Sequence, residues 1–289
     1  ISKPDALSIA YLKLLLTSDP ENADLRLTLV QQLRATGQTK LALRMLEPLI
    51  NHSSPALAYR VATEHLQLTA QLYFAQEGRA RTFLKKDLTS AFSDATQISR
   101  GLPELNQVYG FSKKWAEPDQ QLSIVEKMIP LTPDLEQRVS WMIEASDMRL
   151  AQNKPQEAAE WLVKAYEVTA LYKKDPTLAH RLLRTMLATG EPSYALQKTP
   201  YYVGRHPRSR NLLDLAISIS RQAGRSDLSE QWLLRATELA PDDVYYNRAL
   251  MDLQLANGKL KPAAVLADKR LRLPNLSLEE RMKIARLYE

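Results

Sequence analysis

The sequence predicts an all-α chain built as an array of helix-turn-helix repeats, and three observations carry that expectation. Its 289 residues hold only 8 glycines, where average usage of about 7% would give roughly 20. Sheets, sandwiches and barrels need the positive-φ turns that glycine supplies at almost every connection. The good helix formers Leu, Ala, Gln, Glu, Lys and Arg outweigh the β-branched and aromatic residues that strands favour. The punctuation is also periodic: Gly190, Gly224 and Gly258 stand 34 residues apart, as do Pro207 and Pro241, and Pro274 follows after 33. A fixed period of 20 to 50 residues marks stacked supersecondary units.

Taken along the chain, residues 1–20 read as the flanking helix of a preceding repeat, closed by Pro20. Residues 21–55 form a repeat whose two helices turn at Gly37, with Ala42 at a small packing site. Residues 56–101 form an elongated, degenerate repeat of two long helices joined at Gly78, and residues 102–133 a shorter degenerate pair interrupted at Glu117-Pro118. Residues 134–176 return to pattern, with Asn153 replacing glycine in a left-handed turn and Ala158 at the small site.

Three regular repeats follow, at 177–207, 208–241 and 242–275. In the middle one, Leu212, Leu213, Ala216, Ile217 and Ile219 line one helical face. Gly224 closes that helix because it accepts the left-handed conformation without a Cβ penalty. Ser226 or Asp227 can cap the next helix, and Pro241 ends the unit because it cannot continue a helix. Residues 276–289 read as the first helix of a following repeat.

These residues resemble the tetratricopeptide repeat (TPR) family, with its 34-residue helix-turn-helix unit, glycine at the inner turn and proline near the unit's end. Leu182, Ala216 and Leu250 match its large apolar site in the first helix, and Ala195, Ser229 and Ala263 its small site in the second. Two sites depart from the pattern. Leu183, Ile217 and Met251 stand where the family prefers Gly or Ala, and of Tyr202, Ala236 and Arg270 only Ala236 fits. The resemblance implies a right-handed α-solenoid whose first helices line a concave, partner-binding groove.

In that register the groove includes Asp24, Leu27, Gln31 and Arg34 in the first full repeat, and Asp147 further on. The partner-binding candidates are His180, Arg184, Asn211, Asp214, Arg221, Tyr245, Arg248 and Asp252. This lining does not reproduce the Lys, Asn and Arg clamp with which the family holds a C-terminal carboxylate. Tyr109, Phe111 and Trp115 fall in the off-register segment and are candidates for an irregular surface, because a break in packing exposes side chains. Trp141, Trp161 and Trp232 sit on apolar helical faces and read as core.

No catalytic constellation, metal site or cofactor motif is legible. The absence of cysteine excludes disulfides, thiolate ligands and a cysteine nucleophile. His52, His65, His180 and His206 are far apart and read as surface or groove polar residues. No phosphate-binding or nucleophile-elbow string exists. Asp242-Asp243 opens a helix and reads as an N-cap. The net charge of +6 is mild. Its basic clusters are Arg79, Arg81, Lys85 and Lys86; Lys113 and Lys114; Lys173 and Lys174; Arg205, His206, Arg208 and Arg210; and Lys269, Arg270 and Arg272. Part of this pattern complements helix C-termini, and the functional reading is a basic edge that docks an acidic partner protein. Nucleic acid is not expected, since no reading motif is present. No stretch is apolar and long enough to cross a membrane, and the helical pattern at both ends reads as a piece of a longer array.

The segment SIAYLKLLLTSDPENADLRLTLVQQLRATGQTKLALRMLEPLI is similar to the periplasmic repeat region of bacterial exopolysaccharide outer-membrane exporters of the Pel type. That resemblance implies a non-enzymatic scaffold in the periplasm, recruiting a polysaccharide deacetylase or hydrolase. Two alternatives stay open: direct binding of polysaccharide in the groove, and a cytosolic TPR assembly or regulatory protein.

Overall fold

The computed structural model describes residues 6–50, 54–171, 173, 175–271 and 278–285; His52, Lys174, Arg272 and Pro274 lie outside them. The described residues are all-α and form two compact units, residues 1–141 and 142–289.

The first unit contains α1 (Ala6–Ser18), α2 (Ala23–Ala35), α3 (Thr39–Leu46) with a 3₁₀ turn at Glu47–Leu49, α4 (Pro55–Phe74), α5 (Gly78–Ile98), α6 (Leu102–Trp115) and α7 (Pro118–Leu131). The helix α8 (Leu135–Ala151) begins in it and ends in the second unit. The second unit continues with α9 (Pro155–Thr169), α10 (Pro176–Leu187), α11 (Pro192–Arg205), α12 (Arg210–Gln222), α13 (Ser226–Leu239), α14 (Val244–Ala256), α15 (Leu260–Leu271) and α16 (Leu278–Ala285). Neighbours pack as hairpins: α2 on α3, α4 on α5, α6 on α7, α10 on α11, α12 on α13 and α14 on α15.

The inner turns follow one backbone plan. Gly224 has φ 67°, its N–H donates to the Arg221 carbonyl at 3.1 Å, and the Arg225 N–H reaches back to Ser220 at 2.9 Å. This pair of bonds satisfies the last carbonyls of α12 and defines a Schellman turn. Gly37, Asn153 and Gly258 close α2, α8 and α14 in the same way. Asn153, at φ 59°, is the one non-glycine residue with positive φ among the described residues. Five prolines start helices: Pro55, Pro118, Pro155, Pro176 and Pro192 each open one, where a missing N–H costs nothing.

Capping corrects one expectation. Neither Ser226 nor Asp227 caps α13, whose N-cap is Arg225. Asp227 lies in the first turn and accepts from Nε and Nη2 of the Arg225 guanidinium, at 2.9 and 2.7 Å. Those bonds hold its carboxyl down to about 2. Asp243 does cap α14, accepting from the Tyr245 and Tyr246 N–H groups.

The core follows the small-site logic. Ala42, Ala158, Ala195, Ser229 and Ala263 are all fully buried, which lets the facing helices approach. Leu182, Leu183, Ala216, Ile217, Leu250 and Met251 are buried opposite them. Burying one such side chain is worth about 1.5–3 kcal/mol, so each hairpin is stable only with its neighbour. Tyr202, at a site where alanine is usual, packs edge-on against Tyr166 with centroids 4.9 Å apart. Trp141, Trp161 and Trp232 are half-buried rather than core. Lys164 sits 4.2 Å over the Trp161 ring.

Candidate functional site

In the second unit, α10, α12 and α14 bury one stripe and expose another. Leu178, Leu182 and Met186 on α10, and Leu212, Ala216 and Ile219 on α12, are buried. The equivalent positions on the opposite side carry Arg184, Asn211, Asp214, Arg221, Tyr245 and Arg248, all exposed, with His180 and Asp252 half-buried. Burial lowers the His180 imidazole below its ordinary value, and Arg184 one turn away adds to the shift. Arg248 and Asp252 pair at 4.0 Å along α14. Tyr245 is 55% exposed.

Asp214 is held by its neighbour. It accepts from the Tyr246 hydroxyl at 2.7 Å, joining α12 to α14. Burial, then the Asp214 carboxylate, pushes that phenol up to about 12. Arg210 lies over the Tyr246 ring at 5.1 Å and pairs with Asp243. The network therefore fixes the spacing of two successive first helices.

The same device recurs at about one-repeat separation. Asp147 on α8 pairs with Arg181 on α10. In the first unit, Asp24 pairs with Arg60, and Arg34 makes a two-point contact with Glu64 at 2.8 and 3.3 Å. Glu64 is only 5% exposed, so this pair is desolvated enough to matter. Asp24, Arg34 and Asp147, expected to line a groove, each bond the next first helix, as Asp214 does, and the Asp24 and Asp147 side chains stay 75% and 53% exposed. Leu27, expected beside them, is fully buried in the core with Leu29, Val30 and Leu33. Leu27 lies on the same helical face as Asp24, Gln31 and Arg34, within the core cluster it shares with Leu57, Val61 and Leu68 of α4.

The irregular segment corrects a further expectation. Tyr109 is 4% exposed and packs edge-on against Trp141 at 5.3 Å, so it belongs to the interior rather than to an exposed surface. Phe111 and Trp115 are half-buried and stacked, with centroids 5.3 Å apart and planes 3° from parallel.

Two concavities escaped the sequence. A cavity of about 550 Å³ is lined by Tyr166, Thr169, Lys173, Asp175, Arg205 and His206. A wider groove of about 840 Å³ lies beside it, with Glu160, Lys164, Glu167, Tyr194, Lys198 and Tyr201 among its walls. Both are built from the second helices α9 and α11, whose residues lie some 40 positions apart. Lys173, Arg205 and His206, read as parts of basic clusters, line the first of them. His206, expected at a polar surface, is buried, and its Nε2 lies 3.0 Å from the Tyr166 hydroxyl. His65 is also partly enclosed: burial lowers its imidazole, with Asp94 and Asp87 opposing.

Among the described residues, no group of three or more His, Asp or Glu side chains could hold a metal ion. No helix among them is long and apolar enough to cross a membrane.

No family model and no curated protein matches the chain. Solved structures do. The chain is similar to a structure of Naa15/Naa10 bound to HypK-THB at 13% identity and TM-score 0.47, covering 97% of this chain and 43% of that one. It is similar to the APC/C hetero-tetramer Cut9-Hcn1 at 14% identity and TM-score 0.34, covering 97% and 52%. It therefore spans about half the length of these two structures or less. The C-terminal part of a TPR repeat-containing protein from Cytophaga hutchinsonii matches at 13% identity and TM-score 0.42, over 88% of this chain and 97% of that one. Likeness at this level assigns no function, and the helical hairpins with their 34-residue punctuation rest on the chain's own geometry.

Proposed function

We propose that the chain is a non-enzymatic scaffold that binds another protein along the exposed stripe of α10, α12 and α14. One observation carries this reading. Positions one repeat apart hold exposed or half-exposed polar groups, as in His180, Asp214 and Arg248 or in Asn211 and Tyr245, while the buried stripe beside them packs the repeat. Groups held on packed helices lose little freedom when a partner docks, so less of the contact energy goes into ordering. Arginine and tyrosine are also the side chains that interfaces favour.

The finer reading is that this is the periplasmic repeat region of a Pel-type exopolysaccharide exporter, which recruits a polysaccharide deacetylase or hydrolase. The resemblance of residues 8–50 supports it. Affinity capture from native lysate, with mass spectrometry, tests both levels. A retained protein lost by the triple variant Arg184→Glu, Arg221→Glu, Arg248→Glu supports the scaffold reading. A retained polysaccharide-modifying enzyme supports the finer one, and retention of cytosolic assembly factors alone counts against it.

A further inference from the structure

The tip of the α4–α5 hairpin carries more exposed aromatic and cationic surface than its packing explains. Every residue from Glu77 to Phe83 is exposed, and the first buried side chain of α5 is Leu88. Phe83 is 78% exposed and Phe74 50% exposed. A single exposed apolar residue is ordinary, but a contiguous cluster marks an interaction surface.

Around Phe74 the cluster is continuous. The Tyr73 and Phe74 rings meet edge-on at 5.1 Å. Phe74 reaches Trp115 at the end of α6, at 6.5 Å, and Trp115 stacks on Phe111. The Arg81 guanidinium lies 4.6 Å from the Tyr73 centroid and 5.7 Å from that of Phe74. Lys85 pairs with Glu117 at 2.8 Å, tying the start of α5 to the turn after α6.

Charge selects the partner. Residues 77–87 hold Arg79, Arg81, Lys85 and Lys86 against Glu77 and Asp87, and Lys113 and Lys114 follow close to Trp115 in the chain. The field favours an anion, yet Glu77, Glu117 and Asp119 interleave the cations and would repel a continuous phosphate backbone. The aromatic faces are also partly taken, by Arg81 and by the Phe111–Trp115 stack, which leaves no row of platforms for successive bases. Discrete carboxylates flanking an apolar side chain fit better.

We propose that this aromatic and cationic tip docks an acidic segment of a partner protein, with a phenylalanine or leucine of that segment against Phe74 and a carboxylate at Arg81. The surface belongs to the first unit and the stripe on α10, α12 and α14 to the second, so it is a second contact of the scaffold.

The test is calorimetric titration of the whole chain with the blocked octapeptide Asp-Glu-Asp-Phe-Glu-Asp-Leu-Glu, at low and high salt. Its Asn/Gln counterpart, an octathymidylate and phosphatidylserine vesicles serve as competing ligands. The acidic peptide binds, binding weakens with salt, and Arg81→Glu and Phe74→Ala each weaken it by about tenfold or more with unchanged melting. Both side chains are exposed, so neither change threatens folding. Arg184→Glu leaves this affinity unaltered, which separates the tip from the proposed stripe. Equal binding by Arg81→Glu, preference for the neutral peptide, the oligonucleotide or the vesicles, or no binding at millimolar peptide overturns the proposal.

Discussion

Residues 55–131 and 176–271 fold by the same hairpin plan and differ in how they meet its demands. In the later region, paired helices of 12 to 14 residues turn at glycine and cross at alanine or serine. In the earlier one, α4 and α5 run to 20 and 21 residues, and the α4–α5 connection has no Schellman bond pair; Gly78 instead starts the next helix. The longer helices bury Leu66, Leu68, Ala70, Phe92 and Ala95 along their shared length, and their tip extends past the buried part. The lesson is that the regular region gains order from repeated turns, whereas the irregular one gains it from helix length and bulky aromatics. A short turn leaves no tip to expose, and a long hairpin does.

The largest effect is expected where length does the stabilising. Phe92→Ala should cost about 3–5 kcal/mol, since it empties a fully enclosed ring site on α5. Urea unfolding, with hydrogen exchange to localise the loss, checks it, and protection should fall in α4–α7 before α10–α15. Removing one partner of the Arg34–Glu64 contact comes next: Arg34→Ala should cost roughly 1.5–3 kcal/mol, as Glu64 is left buried without its guanidinium. Ser229→Leu tests the regular region by crowding a fully buried crossing, at about 1–3 kcal/mol. Gly224→Ala should cost about 1 kcal/mol, because φ is 67° while an added methyl meets nothing within 4 Å. Gly224→Asn should cost less, as Asn153 occupies the same kind of turn.

The smallest effect is acid sensitivity, and each region has one histidine for it. The imidazoles of His65 and His180 are both lowered by burial. An unfolded histidine takes up its proton near pH 6.5, so the stability these groups contribute is complete above that value. It is lost as pH falls through 6.5 to the folded-state value. His65→Asn and His180→Asn should each flatten the decline of melting temperature between pH 7 and 5, the first in α4–α7 and the second in α10–α15.

Much of this fold was legible because backbone geometry leaves marks in the sequence. A left-handed turn demands glycine or asparagine, and a tight crossing demands a small residue, so Gly224, Asn153 and Ser229 were readable one at a time. Side-chain commitments across repeats were not. Nothing in the sequence pairs Asp24, Arg34 and Asp147 with Arg60, Glu64 and Arg181, some 30 residues away. Tyr109 misled for the same reason: the aromatics of an off-period segment are as free to fill a core as to face solvent. The His206–Tyr166 contact and the grooves on α9 and α11 had no periodic signal at all.

The most direct test of the scaffold reading is the affinity of a captured partner for the wild-type chain and for the Arg184→Glu, Arg221→Glu, Arg248→Glu variant, measured at equal melting temperature. Loss of about tenfold or more is predicted. Unchanged affinity would contradict the assignment of the α10, α12 and α14 stripe as the binding surface.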